Sequence, residues 1–213
     1  MATIPECDCA ILLFRPPPEG HPSREVALDI DRVSGGDGYA HAAVECCRAD
    51  GSPVAIEADL SAGNVHYSEL TKWTKPANGD PPRPFGRLAI RHLHRFGVMC
   101  PSFCKQVKDL LGLPYSAWRA CPVLPPSAKV WLKDMPKEGL LCTDVITRSL
   151  PPDLVKRMLV FLQNTYRDEP GVACFGTDGK ILLSPNGIAF ALGLAPAIDV
   201  NEPAHELSPN LLC

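Results

Sequence analysis

Proline partitions this chain. Its 23 prolines include blocks at Pro16 to Pro18, Pro81 to Pro84 and Pro122 to Pro126. Each ring locks φ and removes a backbone donor, so the blocks read as stiff connections between short elements. The 213 residues fit one medium domain or at most two small ones; no internal repeat marks a second, and a single domain over 1–213 is expected. A chain of this length buries roughly 70% of its unfolded surface, so it needs neither metal nor disulfide to build a core. With 46% hydrophobic and 21% charged residues, it reads as globular. The net charge of −3 supplies no basic surplus for neutralising phosphates, which argues against a nucleic-acid partner. No apolar run approaches the roughly 18–20 residues of a membrane span. Met1 to Glu6 has no basic segment ahead of an apolar one, so a cytoplasmic location, or secretion by a non-classical route, is expected.

Between the proline blocks the patterns change from strand-like to helix-like. Cys9 to Phe14 is a short apolar run of buried-strand length. Glu25 to Val33 alternates, with Val26, Leu28 and Ile30 on one face and Asp29 and Asp31 on the other, as in a strand. Tyr39 to Cys47 and Val54 to Asp59 flank an Asp50-Gly51 turn signal and read as a hairpin. Leu88 to Leu93 reads as a further strand. Helical spacing then takes over at Ser102 to Leu111, stopped by Gly112, at Leu140 to Leu150 and at Asp153 to Tyr166. Trp118 to Pro136 is proline-rich and irregular. A last helix has Ser184 as N-cap, Pro185 at its first position and Gly193 past its end. Strands first and helices after predict an α+β domain.

Ten cysteines are present, and no pair has the C-x-x-C spacing of a zinc or thioredoxin-type site. Cys7 with Cys9, or Cys100 with Cys104, can in principle ligate a metal, but histidines at matching spacing are absent; no metal and no cofactor are expected. Without a secretion signal, most of the thiols read as small buried hydrophobes. The Cys46-Cys47 pair reads as one buried and one exposed thiol. His66, near Tyr67 and Glu69, reads as part of a surface turn, and Arg87, Arg91, His92, His94 and Arg95 as a solvated basic strand end.

Two residues are informative together. His41 sits in a strand beside Tyr39, Ala43 and Glu45, and small neighbours leave room to approach its ring. Cys142, followed by Thr143 and Asp144, stands where a helix opens, a place that favours thiolate and offers unpaired backbone N–H groups. Taken alone, the first is a half-exposed strand histidine and the second an inert buried thiol. As a pair they supply a nucleophile and its acid–base partner. A third group should orient the imidazole, and Glu57 on the second hairpin strand is the candidate. Antiparallel partners have a constant index sum, and His41 shares a face with Glu57 only if that sum is even. A two-residue Asp50-Gly51 turn makes it odd; a three-residue or bulged loop with Gly51 at φ > 0 makes it even and is therefore expected.

In this order the segments resemble the permuted papain-like (NlpC/P60-type) cysteine hydrolases of the YiiX/YaeF kind, whose histidine strand precedes the cysteine helix. Asp8 to Arg15 is similar to the opening strand of that family, Tyr39-Ala-His41-Ala-Ala-Val to its histidine strand, and Val54-Ala-Ile-Glu57-Ala to the acidic strand that follows. Leu111-Gly-Leu-Pro-Tyr115-Ser resembles its Gly-x-Pro-Tyr-Asp segment, with Ser116 in place of Asp. Leu141-Cys142-Thr-Asp-Val-Ile resembles its Cys-Ser-Glu-Leu-Val, and Leu183-Ser184-Pro185 its last helix start. The resemblance covers about residues 8–195. It implies an antiparallel sheet packed against helices, with histidine strands within about 8–95 and the cysteine and C-terminal helices within about 100–195. It further implies cleavage of an amide, peptide or ester bond through a Cys142 thioacyl intermediate, with His41 as general acid and base and Glu57 orienting it. Tyr115 and Tyr39 are the expected substrate contacts, and the expected partner is a peptide, amide or lipid-amide substrate. Acyl transfer or deamidation at the same site, or a catalytically silent binding module on this fold, are the alternatives.

Overall fold

The computed structural model describes residues 9–21, 24–33, 38–71, 85–120, 130–165, 173–175 and 181–193. Its centre is β1 (Ala10–Phe14), the apolar run AILLF, every residue of which is buried. A strand covered on both faces has no polar side to present, which is why this run does not alternate. It lies between β2 (His41–Cys47) and β5 (Phe85–Ala89); β3 (Pro53–Asp59) and β4 (Asn64–Ser68) extend the sheet beyond β2, giving the order β4-β3-β2-β1-β5. Every pairing in it is antiparallel.

One face of this sheet carries the larger core. Ile11, Leu13, Val44, Ile56 and Val65 meet Phe103 and Val107 of α2 (Cys100–Lys108) and Val145 and Ile146 of α3 (Cys142–Thr147). Met158 of α4 (Pro152–Thr165) and Ile188 of α5 (Pro185–Leu192) close the same core. Truncating one such side chain, Leu13→Ala for instance, costs about 2–5 kcal/mol. The other face holds a smaller cluster of Ala10, Leu12, Phe14, Ala43 and Ala55. A separate two-stranded ribbon pairs β6 (Ala173–Phe175) with β7 (Ile181–Leu183). No helix among the described residues is long and apolar enough to cross a membrane.

The α+β class and the hairpin follow the sequence reading, and several elements depart from it. Arg24–Val33 is a helix, α1, where a strand was expected. Its charges suit a helix: Glu25 in the first turn and Arg32 in the last complement the dipole, and Arg32 Nη1 bonds Asp29 Oδ1 at 3.0 Å, one turn away. The expected strand over Leu88 to Leu93 ends at Ala89 and continues as a 3₁₀ helix over Ile90–Phe96. In that helix Ile90 and Leu93, three apart, both enter the core, and Gly97 closes it at φ 78°. His66 lies on β4, not in a turn. The stop read from Gly193 holds, at φ 71°, and Ser184 Oγ accepts from Gly187 N at 2.9 Å. The helix expected to run to Gly112 ends earlier, at Lys108 with Asp109 as its C-cap, and Gly112, at φ 82°, lies in the turn beyond it.

The cysteines also depart from the expectation of isolated thiols. Cys9 and Cys100, with Cα atoms 5.8 Å apart, form a disulfide that joins the entry of β1 to the first residue of α2. Cys47 is disulfide-bonded as well, whereas Cys46, Cys104 and Cys142 are free thiols. Cysteines 91 positions apart cannot be paired from spacing alone.

Candidate active site

The hairpin sets one half of the site. Arg48 N donates to Ser52 O at 2.9 Å and Gly51 N to Arg48 O at 3.0 Å, so the loop has three residues, Ala49, Asp50 and Gly51. Gly51 takes φ 83°, a conformation that side chains disfavour. Asp50 Oδ1 accepts from Ser52 Oγ at 2.6 Å and from Ser52 N at 2.9 Å, and these bonds hold its carboxyl below the usual range. The pairs Val44↔Ile56 and Glu45↔Ala55 share an even index sum, as the bulged loop requires. Glu57 consequently projects on the same face as His41 and reaches it diagonally.

The contact is short. His41 Nε2 lies 2.6 Å from Glu57 Oε2, with Glu57 fully buried and the His41 side chain 15% exposed. Phe14, opposite His41 in the register, stacks on the imidazole with ring centroids 5.9 Å apart. Behind the carboxylate, His66 stands directly across from Glu57 on β4. Its Nε2 is 3.9 Å from both Glu57 Oε1 and Asp59 Oδ2, and its Nδ1 is 3.3 Å from Asn64 O.

The other half comes from the segment leading into α3. Leu140 N donates to Pro114 O at 2.8 Å and Ser116 N to Leu140 O at 3.1 Å, so Tyr115 and Leu140 form an isolated parallel bridge. Gly139 permits this approach, since a Cβ there would stand 2.6 Å from Pro114 O and 2.8 Å from Ser116 N. Asp144, buried in the first turn of α3, accepts from Leu141 N at 2.8 Å and from Arg119 Nη1 at 2.7 Å. That is the acidic half of a capping box, with the carboxylate neutralised by Arg119. α3 packs on β2 and β3, which brings half-buried Cys142 into hydrogen-bond contact with His41. With Nε2 taken by Glu57, Nδ1 is the ring nitrogen left for the sulfur.

The electrostatics follow from these neighbours. Burial lowers the pKa of His41, but the hydrogen bonds and negative charges of Cys142 and Glu57 outweigh it and hold the imidazolium up to about 9. Burial, together with the charges of Cys142 and Asp59, pushes the Tyr115 phenol up, so it stays a neutral donor. A thiol, an imidazole and a carboxylate are thus linked in succession, with a neutral phenol near enough to feel the charge of the sulfur. The set can support acyl chemistry at a carbonyl.

Of the residues singled out from the sequence, Cys142, His41, Glu57 and Tyr115 come together here, and Tyr39 does not. Tyr39 is 2% exposed in the larger core, and its hydroxyl lies 2.7 Å from where a Cβ on Gly86 would stand. β2 begins only at His41, so the alternation that would keep Tyr39 on the imidazole face does not extend back to it. Its N–H donates to Asn186 Oδ1 at 2.9 Å; Asn186 Nδ2 in turn reaches Asp31 Oδ1 at 2.9 Å.

Sequence reasoning missed His66, Asp59, Arg119 and Asn186. Only Asp144, at the third helical position, carried a readable local signal. The basic stretch is partly consumed by structure, since Arg87 Nε bonds Glu45 Oε2 at 2.7 Å. Donor atoms of Glu57, Asp59 and His66 lie within 4.8 Å of one another, as do those of Cys9, Cys46 and Cys104. In the first set Glu57 is already committed to His41. Comparisons with protein-family models, curated proteins and solved structures find no match for this chain.

Proposed function

We propose that the protein is a thiol hydrolase of the permuted papain-like kind, cleaving an amide, peptide or ester bond through a Cys142 thioacyl intermediate. The observation that carries the reading is the continuous Cys142–His41–Glu57 contact, in which the carboxylate lies 2.6 Å from Nε2 and the sulfur is hydrogen-bonded to the same ring. The order of elements, with imidazole strands early and the cysteine helix late on an antiparallel sheet, supports the permuted fold.

In the free enzyme the imidazolium, held up to about 9, donates to the Cys142 thiolate. The sulfur attacks the carbonyl carbon. The oxyanion is received by the Cys142 N–H, which as a first-turn donor has no acceptor within its helix; each such donor is worth roughly 3 kcal/mol. The tetrahedral intermediate collapses as His41 Nδ1–H passes its proton to the leaving amine or alcohol. Acylation removes the sulfur's charge and hydrogen bond, two of the causes that raise the His41 pKa, and leaves burial opposed by Glu57 alone. His41 thereby changes from acid to base and takes a proton from water, whose oxygen attacks the thioester and releases Cys142.

Iodoacetamide labelling mapped residue by residue tests the reading. Cys142 is expected to react faster than the free thiols Cys46 and Cys104, with the fast phase lost in Cys142→Ala and His41→Ala. Hydrolysis of a panel of peptide, lipid-amide and ester substrates should depend on the same two residues. Equal reactivity of Cys142, Cys46 and Cys104 would end the proposal, and product found on an added amine in preference to water would reassign the chain to acyl transfer.

A further inference from the structure

At the opposite end of the same strands, four sulfurs converge that the proposed hydrolysis does not use. Cys9 enters β1, Cys46 lies near the end of β2, and Cys100 and Cys104 stand one turn apart on α2. The Sγ atoms of Cys9, Cys46 and Cys104 lie within 4.8 Å of one another, and that of Cys100 is bonded to Cys9. Cys9, Cys46 and Cys104 are buried, and Cys100 is half-buried.

The surroundings suit anionic sulfur. Cys9 N–H donates to Cys100 Sγ at 3.2 Å, and Cys47 N–H donates to Cys104 Sγ. The Cys46 and Cys104 side chains are hydrogen-bonded to each other. Lys108, whose Nζ bonds Cys47 O at 2.7 Å, places a cation near the cluster. In a tetrahedral thiolate site with Zn–S bonds of about 2.3 Å, the sulfurs stand about 3.8 Å apart. The three separations among Cys9, Cys46 and Cys104, each within 4.8 Å, are therefore a small side-chain adjustment from that spacing, and Cys100 is held at the cluster through its bond to Cys9.

We propose that Cys9, Cys46, Cys100 and Cys104 form a tetrathiolate site for a zinc-class divalent ion, open when the Cys9–Cys100 disulfide is reduced and closed when it is formed. A dithiol reductant opens it. One of its thiolates attacks Sγ of half-buried Cys100, the S–S bond breaks and Cys9 leaves as thiolate. The second reductant thiolate attacks the resulting mixed disulfide and releases Cys100, so that two electrons have passed to the cysteines and the reductant is a disulfide. The ion then binds four thiolates and displaces the protons still held on sulfur. Two exclusive cross-links can thus occupy one place: a bond between β1 and α2, or an ion that also ties in β2.

The test uses the full chain, reduced without oxygen and titrated with cobalt(II). One ion per chain is expected, with the visible absorption of tetrahedral cobalt thiolate, displaced by zinc and absent from the oxidised protein. Cys46→Ser and Cys104→Ser should each weaken binding by more than the ~10–100-fold that outer-shell changes cost, while Cys142→Ser leaves it unchanged and so separates this site from the hydrolytic one. Alkylation mapping of the unsubstituted chain gives a second readout that needs no variant to fold: zinc should shield all four cysteines. A reduced chain that takes up no cobalt, equal binding by the oxidised chain, or shielding of a different set of cysteines would overturn the proposal.

Discussion

Strand β2 has an imidazole at its first position and sulfurs at its last two, roughly 20 Å away by the rise of an extended strand. Both ends of the sheet therefore meet cysteine, yet the two environments have little in common. At the His41 end a single half-buried sulfur meets a cation-forming ring backed by a fully buried carboxylate. At the other end buried sulfurs meet mainly one another, a lysine and backbone N–H groups. The same side chain thus meets an imidazole in one location and other sulfurs in the second, and the two proposals, attack on carbon and binding of a metal, rest on that difference. What decides is the neighbour that the fold supplies, because reactivity follows thiolate stability and access together.

The strongest way to break this contrast is to remove sulfur from each end in turn. Cys142→Ala should lower kcat on any turned-over substrate by roughly 10⁴-fold or more, while Cys46→Ala leaves kcat unchanged; comparable losses in both would show that the ends are not chemically distinct. His41→Ala should cost about 10²–10⁴ in kcat. Glu57→Gln keeps the shape and removes the charge, so the basic limb of the pH–rate profile should move down from about 9 towards 6.5.

Stability sharpens the contrast further. His41 gains its proton affinity on folding, so its contribution is fully present below about 6.5 and is lost as pH rises through about 9. Denaturant midpoints measured across that window should fall in the unsubstituted protein and fall less in Cys142→Ala, which lacks one partner of the imidazolium. The smallest effect is expected at the entry to α3. Arg119→Met leaves the Asp144 carboxylate buried without its cation, at a cost of about 1–3 kcal/mol, read from the same midpoints with no change in metal uptake at the sulfur cluster.

Much of the His41 end is legible in the sequence. The Asp50-Gly51 loop and the parity of the flanking runs are local properties, and they sufficed to put Glu57 on the imidazole face. The caps Ser184 and Gly193 were legible for the same reason, since each acts within one turn of its helix. Arg24–Val33 was misread because its apolar and acidic residues satisfy a period of two over that stretch, and only the dipole-matched ends and the Arg32–Asp29 bond mark it as a helix. β4 was hidden because Val65 is the one deeply buried apolar residue among its five; His66 entered the site unannounced with it. The sulfur cluster lay beyond local reasoning altogether. Its members are distributed over β1, β2 and α2, and only the sheet order and the packing of α2 against it bring them together.

The Asn186 side chain joins α5 to the residue that enters β2 and to Asp31 in α1. Two positions separate that anchor from His41, so the orientation of an early residue is secured by a late one. Boundaries for truncation follow from this. A fragment ending after β5 would retain all five strands of the sheet and still lack the clamp, and one ending at Leu183 would lack it too. Fragments meant to preserve the imidazole geometry have to run through Gly193, and limited proteolysis that clips α5 should silence the site before the sheet itself comes apart.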